Sequence, residues 1–142
     1  MKGISCHNQG LVTEYKAAKL YTELGFTVCW PLYSQSPYDF VVEKGGSFKR
    51  VQVKTPTWSK SGAYKYLQCR LGKDLRVDDS VSGVGCKYTE SCDEVIFIDK
   101  DTDEAWIFPT SVLRDTSNVC LKTSNPKPNI TKKSYCPDDY KI

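Results

Sequence analysis

Asp39, Gln52 and Lys54 are polar residues in the stretch SPYDFVVEKGGSFKRVQVKT, set where two short strands should be apolar. Asp39 precedes Phe40-Val41-Val42, and Gln52 and Lys54 alternate with Val51 and Val53. A carboxylate and an amide oxygen are hard donors that suit Mg²⁺, which keeps some of its waters and takes few protein ligands. A lysine beside them can position or deprotonate a water, or stabilise charge that builds on a phosphate. Glu14 is the fourth candidate, because helical spacing sets it amid Leu11, Ala17, Ala18, Leu20, Tyr21 and Leu24. Lys16, Lys19 and Glu23 fall on the opposite side, with Val12 the apolar exception there. An ionised carboxylate on a buried face is costly unless it is paired or binds a metal. The four residues together have the chemistry of metal-assisted phosphodiester hydrolysis. Each also has a plainer explanation: a salt bridge or helix-start hydrogen bond for Glu14, and an exposed polar strand face for Gln52 and Lys54.

Whether these groups meet depends on the elements that carry them. Gly45-Gly46 is a favoured two-residue hairpin closure, since both positions can take positive φ. That closure pairs Lys44 with Ser47, Val42 with Lys49 and Asp39 with Gln52. Paired residues project from one face, and Lys54, two past Gln52, projects there too. A closure one residue longer would shift the register and scatter the set. LVTEYKAAKLYTELGF reads as a helix closed at Gly25. TVCWPLY is a first short strand with Pro31 at its end, and AYKYLQCRL follows the hairpin as another strand. Gly72 to Cys92 is turn-rich and reads as a long loop, with SGVGCK, which lacks phosphate-loop spacing, as a turn within it. DEVIFIDKDTDEAWIFP gives a second hairpin through KDTD, Ser111 to Arg114 a short helical turn, and NVCLKTS a last strand. Residues from about 123 to 142 are Pro- and Lys-rich and read as an irregular tail. A helix followed by a run of strands is an α+β or mixed α/β pattern.

At 142 residues the chain suits one domain with a real core. No run approaches the ~18 apolar residues of a membrane span, and MKGISCHNQG has no apolar secretion segment. Seven cysteines is an odd number for a disulfide framework, so reduced thiols in an intracellular, cytoplasmic compartment are the expectation. A zinc site has little to build on, with no CxxC pair and His7 as the only histidine. Without a secretion segment, the sequon Asn129-Ile130-Thr131 reads as a chance match. A net charge of +3 neither demands nor excludes a nucleic-acid partner.

Pro37-Tyr38-Asp39 followed by Gln52-Val53-Lys54, with a helical Glu14 upstream, resembles the PD-(D/E)XK nuclease superfamily. The branch it looks most like is that of intron-associated homing endonucleases, in which the second acidic position is a glutamine. Archaeal Holliday-junction resolvases are similar in outline. The resemblance covers residues Gly10 to Arg70 well and the DEVIFID…AWIFP hairpin more loosely. It implies a mixed central β-sheet flanked by helices, a restriction-endonuclease-like core formed as one nuclease domain over residues 1–142. It further implies a Mg²⁺-dependent DNA endonuclease, with Mn²⁺ able to substitute. Asp39 would bridge metal and scissile phosphate, Gln52 and the Val53 carbonyl would add oxygens, Glu14 would complete the metal shell, and Lys54 would orient or activate the attacking water. Two departures stand out. Tyr38 separates the motif proline from Asp39, and Gln52 replaces the usual acid.

Basic and aromatic residues gather nearby in sequence: Lys49, Arg50, Lys60, Lys65 and Arg70, with Trp58, Tyr64 and Tyr66 among them. Such a set can follow phosphates and pack on sugars, although a solvated strand face explains it as simply. YKYLQCR, with Tyr66, Gln68 and Arg70, is a candidate base reader, because a β-ribbon fits the major groove. Lys122, Lys127, Lys132 and Lys133 form a second basic set. The expected partner is double-stranded DNA, and cutting both strands requires a homodimer or homotetramer. A bacterial or phage source fits this reading. A structure-selective resolvase and a non-catalytic DNA-binding module are the alternatives.

Overall fold

The computed structural model describes residues 3, 5–33, 35–71, 91–113, 116, 118–124 and 135–142. Helix α1 spans Cys6–Glu23 and begins five residues before the predicted start. Ser5 caps it by accepting from Asn8 N, and Gly10, a poor helix former, hid this first turn from a propensity reading. Its end lies where the sequence places it. Gly25 takes φ +85°, its N–H bonds the Thr22 carbonyl, and Phe26 N bonds the Tyr21 carbonyl. These paired bonds are a Schellman closure, and the Phe26 ring completes it by meeting Tyr21 edge-on at 5.5 Å.

Among the described residues eight strands follow: β1 (Thr27–Cys29), β2 (Phe40–Lys44), β3 (Ser47–Lys54), β4 (Thr57–Ser61), β5 (Tyr64–Arg70), β6 (Glu94–Ile98), β7 (Ala105–Pro109) and β8 (Asn118–Thr123). The β2–β3 hairpin closes on Gly45-Gly46 with φ of +60° and +83°, and pairs Lys44 with Ser47 and Val42 with Lys49 as predicted. β1 is shorter than TVCWPLY and stops before Trp30-Pro31. β4 is an element the sequence reading lacks, because TWSKS carries no apolar alternation. It pairs with β5 across a turn at Gly62, φ +59°. The KDTD turn joins β6 to β7, and a 3-10 turn at Thr110–Leu113 stands where a helical turn is expected.

The strands form a five-stranded sheet in the order β1-β2-β3-β6-β7 and a three-stranded sheet in the order β4-β5-β8. The larger is mixed, since β3 and β6 run parallel while its other pairs are antiparallel. Alternate residues build two cores. On one face Ala17 and Tyr21 of α1 pack with Phe40, Val42, Val51, Val53, Ile96 and Ile98. On the other, Val95, Phe97, Trp106 and Phe108 pack with Leu67, Val119 and Leu121 of the smaller sheet. The second face is covered by the strands of the smaller sheet. The last residues, predicted to be irregular, form a 3-10 turn at Pro137–Tyr140 and a bridge from Lys141 to Trp106. Almost all of the Gly72–Cys92 segment, together with Arg114, Asn129, Lys127, Lys132 and Lys133, lies outside the described residues. Among the described residues no helix is long and apolar enough to cross a membrane.

Candidate active site

Asp39 sits one residue before β2, where the β2–β3 ladder ends at the pair Phe40–Val51. Its backbone N–H still bonds the Val51 carbonyl at 2.9 Å, so the residue is held in line although its strand has stopped. Its carboxylate Oδ2 accepts from Gln52 Nε2 at 2.8 Å and from Val53 N at 2.6 Å. The pairing predicted for Asp39 and Gln52 is therefore made through side chains. Both bonds end on Oδ2, and Oδ1 takes part in neither.

A carboxylate can only accept, so the Gln52 amide must face Asp39 through nitrogen, which turns its Oε1 away as a spare hard oxygen. Val53 contributes more than its sequence reading foresees. Its N–H points to the side that β2 has vacated, and the N–H and C=O of one residue in an extended strand point the same way. The Val53 carbonyl is thus presented beside Asp39, not toward β6. By register Gln52 shares a face with Val95, and Lys54 with Phe97, the face opposite α1. Lys54 is half-buried and close enough for its ammonium to pull the Asp39 acid downward.

Glu14 needs a correction. The buried stripe of α1 is Thr13, Ala17 and Tyr21, while Leu11 and Leu24 are exposed, so Glu14 lies on the flank of the buried face and is half-buried. Tyr21 sets this rotation: its ring is interior, and its hydroxyl donates to the buried Glu94 at 2.7 Å. The flank is still the useful place. Thr55, next after Lys54, donates from Oγ1 to Thr13 Oγ1 at 3.1 Å, which fixes the helix against the end of β3. Burial, then the neighbouring Asp39, push the Glu14 carboxyl above the usual range, and His7 pulls the other way. Burial likewise raises Asp39, against the Val53 N–H and Lys54.

Two carboxylates that burial holds at raised pKa values, with Asp39 adding to the rise at Glu14, form a site that a cation relieves. With Gln52 Oε1 and the Val53 carbonyl alongside, the donors are all oxygens, the set that Mg²⁺ or Mn²⁺ takes. No three His, Cys, Asp or Glu side chains gather among the described residues, so the amide and the carbonyl are needed to complete such a shell.

The residues predicted to touch DNA divide into two groups. Lys49 donates to Glu94 at 2.5 Å, and Arg50 grips Asp93 through Nε at 3.1 Å and Nη2 at 3.0 Å. Both are engaged with acids from the start of β6, partners that the sequence hides because they lie more than 40 positions away. Lys60 and Lys65 stand directly opposite each other on β4 and β5, both exposed. Like charges placed so repel unless an anion lies between them. Tyr66 leans on Tyr64 at 6.5 Å, Gln68 accepts from Asn118 at 2.7 Å, and Arg70 ends β5 in solvent. Lys122 pairs with Glu104 and lies over the Trp106 ring.

A family model described as PD-(D/E)XK endonuclease matches residues 4–142. Protein 5.3 of Escherichia phage T7 is 30% identical over 122 residues, which make up 84% of this chain and 92% of that protein. A solved bacterial homing endonuclease superposes with a TM-score of 0.71 at 20% identity, over 97% of this chain and 89% of that one. That likeness is one of fold, and it spans both sheets.

Proposed function

The chain belongs to the PD-(D/E)XK endonuclease family, and on that premise we propose that it is a metal-dependent, site-specific endonuclease that cuts double-stranded DNA in the manner of homing endonucleases. The observation that carries this reading is the grip on Asp39 Oδ2 by Gln52 Nε2 and Val53 N, with Glu14 and Lys54 beside it. Glu14, Asp39, Gln52 Oε1 and the Val53 carbonyl would hold Mg²⁺ or Mn²⁺. When bound, the ion supplies Lewis-acid polarisation of the phosphodiester and a more acidic water.

The chain's own residues do the rest. Gln52 and Val53 N fix the rotamer of Asp39, so its free oxygen keeps one direction. Lys54 orients the attacking water in line with the scissile bond and stabilises the charge that gathers on the phosphate. The water oxygen forms the new P–O bond as it gives up a proton to solvent, the bridging P–O bond breaks with its pair going to the leaving oxygen, and that oxygen takes a proton back from solvent. Lys60, Lys65 and Arg70 on the smaller sheet, which the chain enters three residues after Lys54, follow the backbone. One site cuts one strand, so a symmetric dimer or tetramer completes the double-strand cut.

The test is cleavage of a long, diverse DNA sample with Mg²⁺ and without it, alongside a folded Lys54→Ala protein. Discrete Mg²⁺-dependent fragments that vanish in the variant are expected. Cutting that survives Lys54→Ala overturns the assignment of the site. Cutting of four-way junctions in preference to linear duplex would replace the site-specific reading with a resolvase.

A further inference from the structure

We propose that Trp30 is a positioning residue that sets the separation of the Glu14 and Asp39 carboxylates, and through it the fit of the site for its metal. The inference rests on the reading of the site given above. Trp30 follows β1 and is 44% exposed, so its ring lies at the rim of the α1 core, between the buried Phe40 and the exposed Tyr15. Its centroid lies 5.5 Å from Tyr15 and 5.3 Å from Phe40. Tyr15 is the residue after Glu14, and Phe40 is the residue after Asp39. One indole therefore touches the immediate neighbour of each acid, one on α1 and one at the start of β2.

Two further ties hold α1 to the sheet. Thr13–Thr55 joins α1 to the end of β3, and Tyr21 meets Phe40 edge-on at 5.8 Å, seven residues along the helix from Glu14. Phe40 is fully buried and Asp39 is pinned to β3, so this side of the clamp is rigid. On the helix side the Tyr15–Trp30 contact is the one that ties the residue next to Glu14 to the start of β2. Without the indole, Glu14 would relax outward, and a cation would have to pull it back before both carboxylates could bind.

The experiment is a calorimetric titration of metal-free full-length protein with Mn²⁺, at a temperature where each variant is folded. The variants are Trp30→Ala, Trp30→Phe, Tyr15→Ala and Phe26→Leu. Phe26 is an aromatic packed on Tyr21 at the far end of the same helix, so its variant tests packing alone. Trp30→Ala and Tyr15→Ala should weaken Mn²⁺ binding by about 10–100-fold, as loss of groups that orient ligands does. Trp30→Phe should recover most of the affinity, and Phe26→Leu should lower the melting temperature while keeping it. Tyr15 is 61% exposed, so its variant removes one arm of the clamp without opening a core. Wild-type affinity in Trp30→Ala and Tyr15→Ala, or an equal loss in Phe26→Leu, overturns the proposal and leaves the metal reading standing. A wild-type protein that takes up no Mn²⁺ and cuts no DNA overturns both.

Discussion

Lys49 gives the sharpest test of how charge is used in this protein, because two roles for it predict opposite measurements. As a DNA contact it would serve a phosphate. In the structure it serves Glu94, whose side chain is only 10% exposed and whose other oxygen takes the Tyr21 hydroxyl. Lys49→Met removes the ammonium and keeps the stem. Its own side chain is 45% exposed, so the Coulomb part of the pair is screened and adds little. The main cost falls on Glu94, left with one hydrogen bond instead of two. A lost bond to a charged group costs about 1.5–3 kcal/mol, below the ~3–5 kcal/mol of a fully buried pair broken on one side. For a chain of this size that lowers the melting temperature by roughly 5–10 °C. Adding Glu94→Gln should restore about half of the loss, since a neutral amide needs no cation. The assays are urea melts of the four proteins in the cycle and the salt dependence of DNA binding for wild type and Lys49→Met. Each phosphate contact contributes about 0.9 to that slope. A Lys49→Met protein as stable as wild type, with a slope smaller by about one, would refute the structural role and return Lys49 to the DNA.

Asp39→Asn should raise the stability of the metal-free protein at neutral pH while abolishing cleavage, which parallel melts and DNA digests would reveal. The sign follows from its raised pKa: folding disfavours the ionised acid, so stability falls as pH rises from the unfolded value of 3.8 through the folded one. The stability gap between Asp39→Asn and wild type should therefore open across that window and stay constant above it. Stabilisation by added Mn²⁺ should grow with pH over the same range, because protons and metal compete for Glu14 and Asp39; a pH-independent melting shift would count against these ligands. Gln52→Glu replaces a donor to Asp39 with a third carboxylate. It should lower metal-free stability and tighten Mn²⁺ binding, the two changes read by melting and calorimetry; weaker binding would mean that the amide's nitrogen, not its oxygen, is what the site uses.

Local signals carried the hairpin. Two glycines fix a closure, a closure fixes a register, and the register brings Asp39 to Gln52 with no further information. The same logic fails for Glu14, because the rotation of a helix is set by its partners. Leu11 and Leu24 suggest one buried face, but Tyr21 draws α1 toward Glu94, 73 residues along the chain. The acids that engage Lys49 and Arg50 were out of reach for the same reason, since Asp93 and Glu94 arrive only at the start of the parallel strand β6. β4 was hidden by composition, since its Ser-Lys-Ser run takes its strand form from pairing with β5 and not from apolar alternation.

These failures share a pattern that bears on the site. The partners hidden from sequence lie across β3 and β6 or on α1, and the residues placed well are those that meet along β2 and β3. β2 stops at Phe40 while β3 runs on to Lys54, so the last three residues of β3 have lost their neighbour on one side. A vacated strand edge leaves backbone groups unpaired and must be covered. Here the Asp39 carboxylate takes the Val53 N–H and leaves the carbonyl presented. The edge that a purely structural sheet would close is thus held open by an acid, with an amide, a lysine and a second acid gathered around it. Ending β2 one pair early costs the sheet a ladder step, and the gap it makes is a place where a cation and a phosphate can sit together.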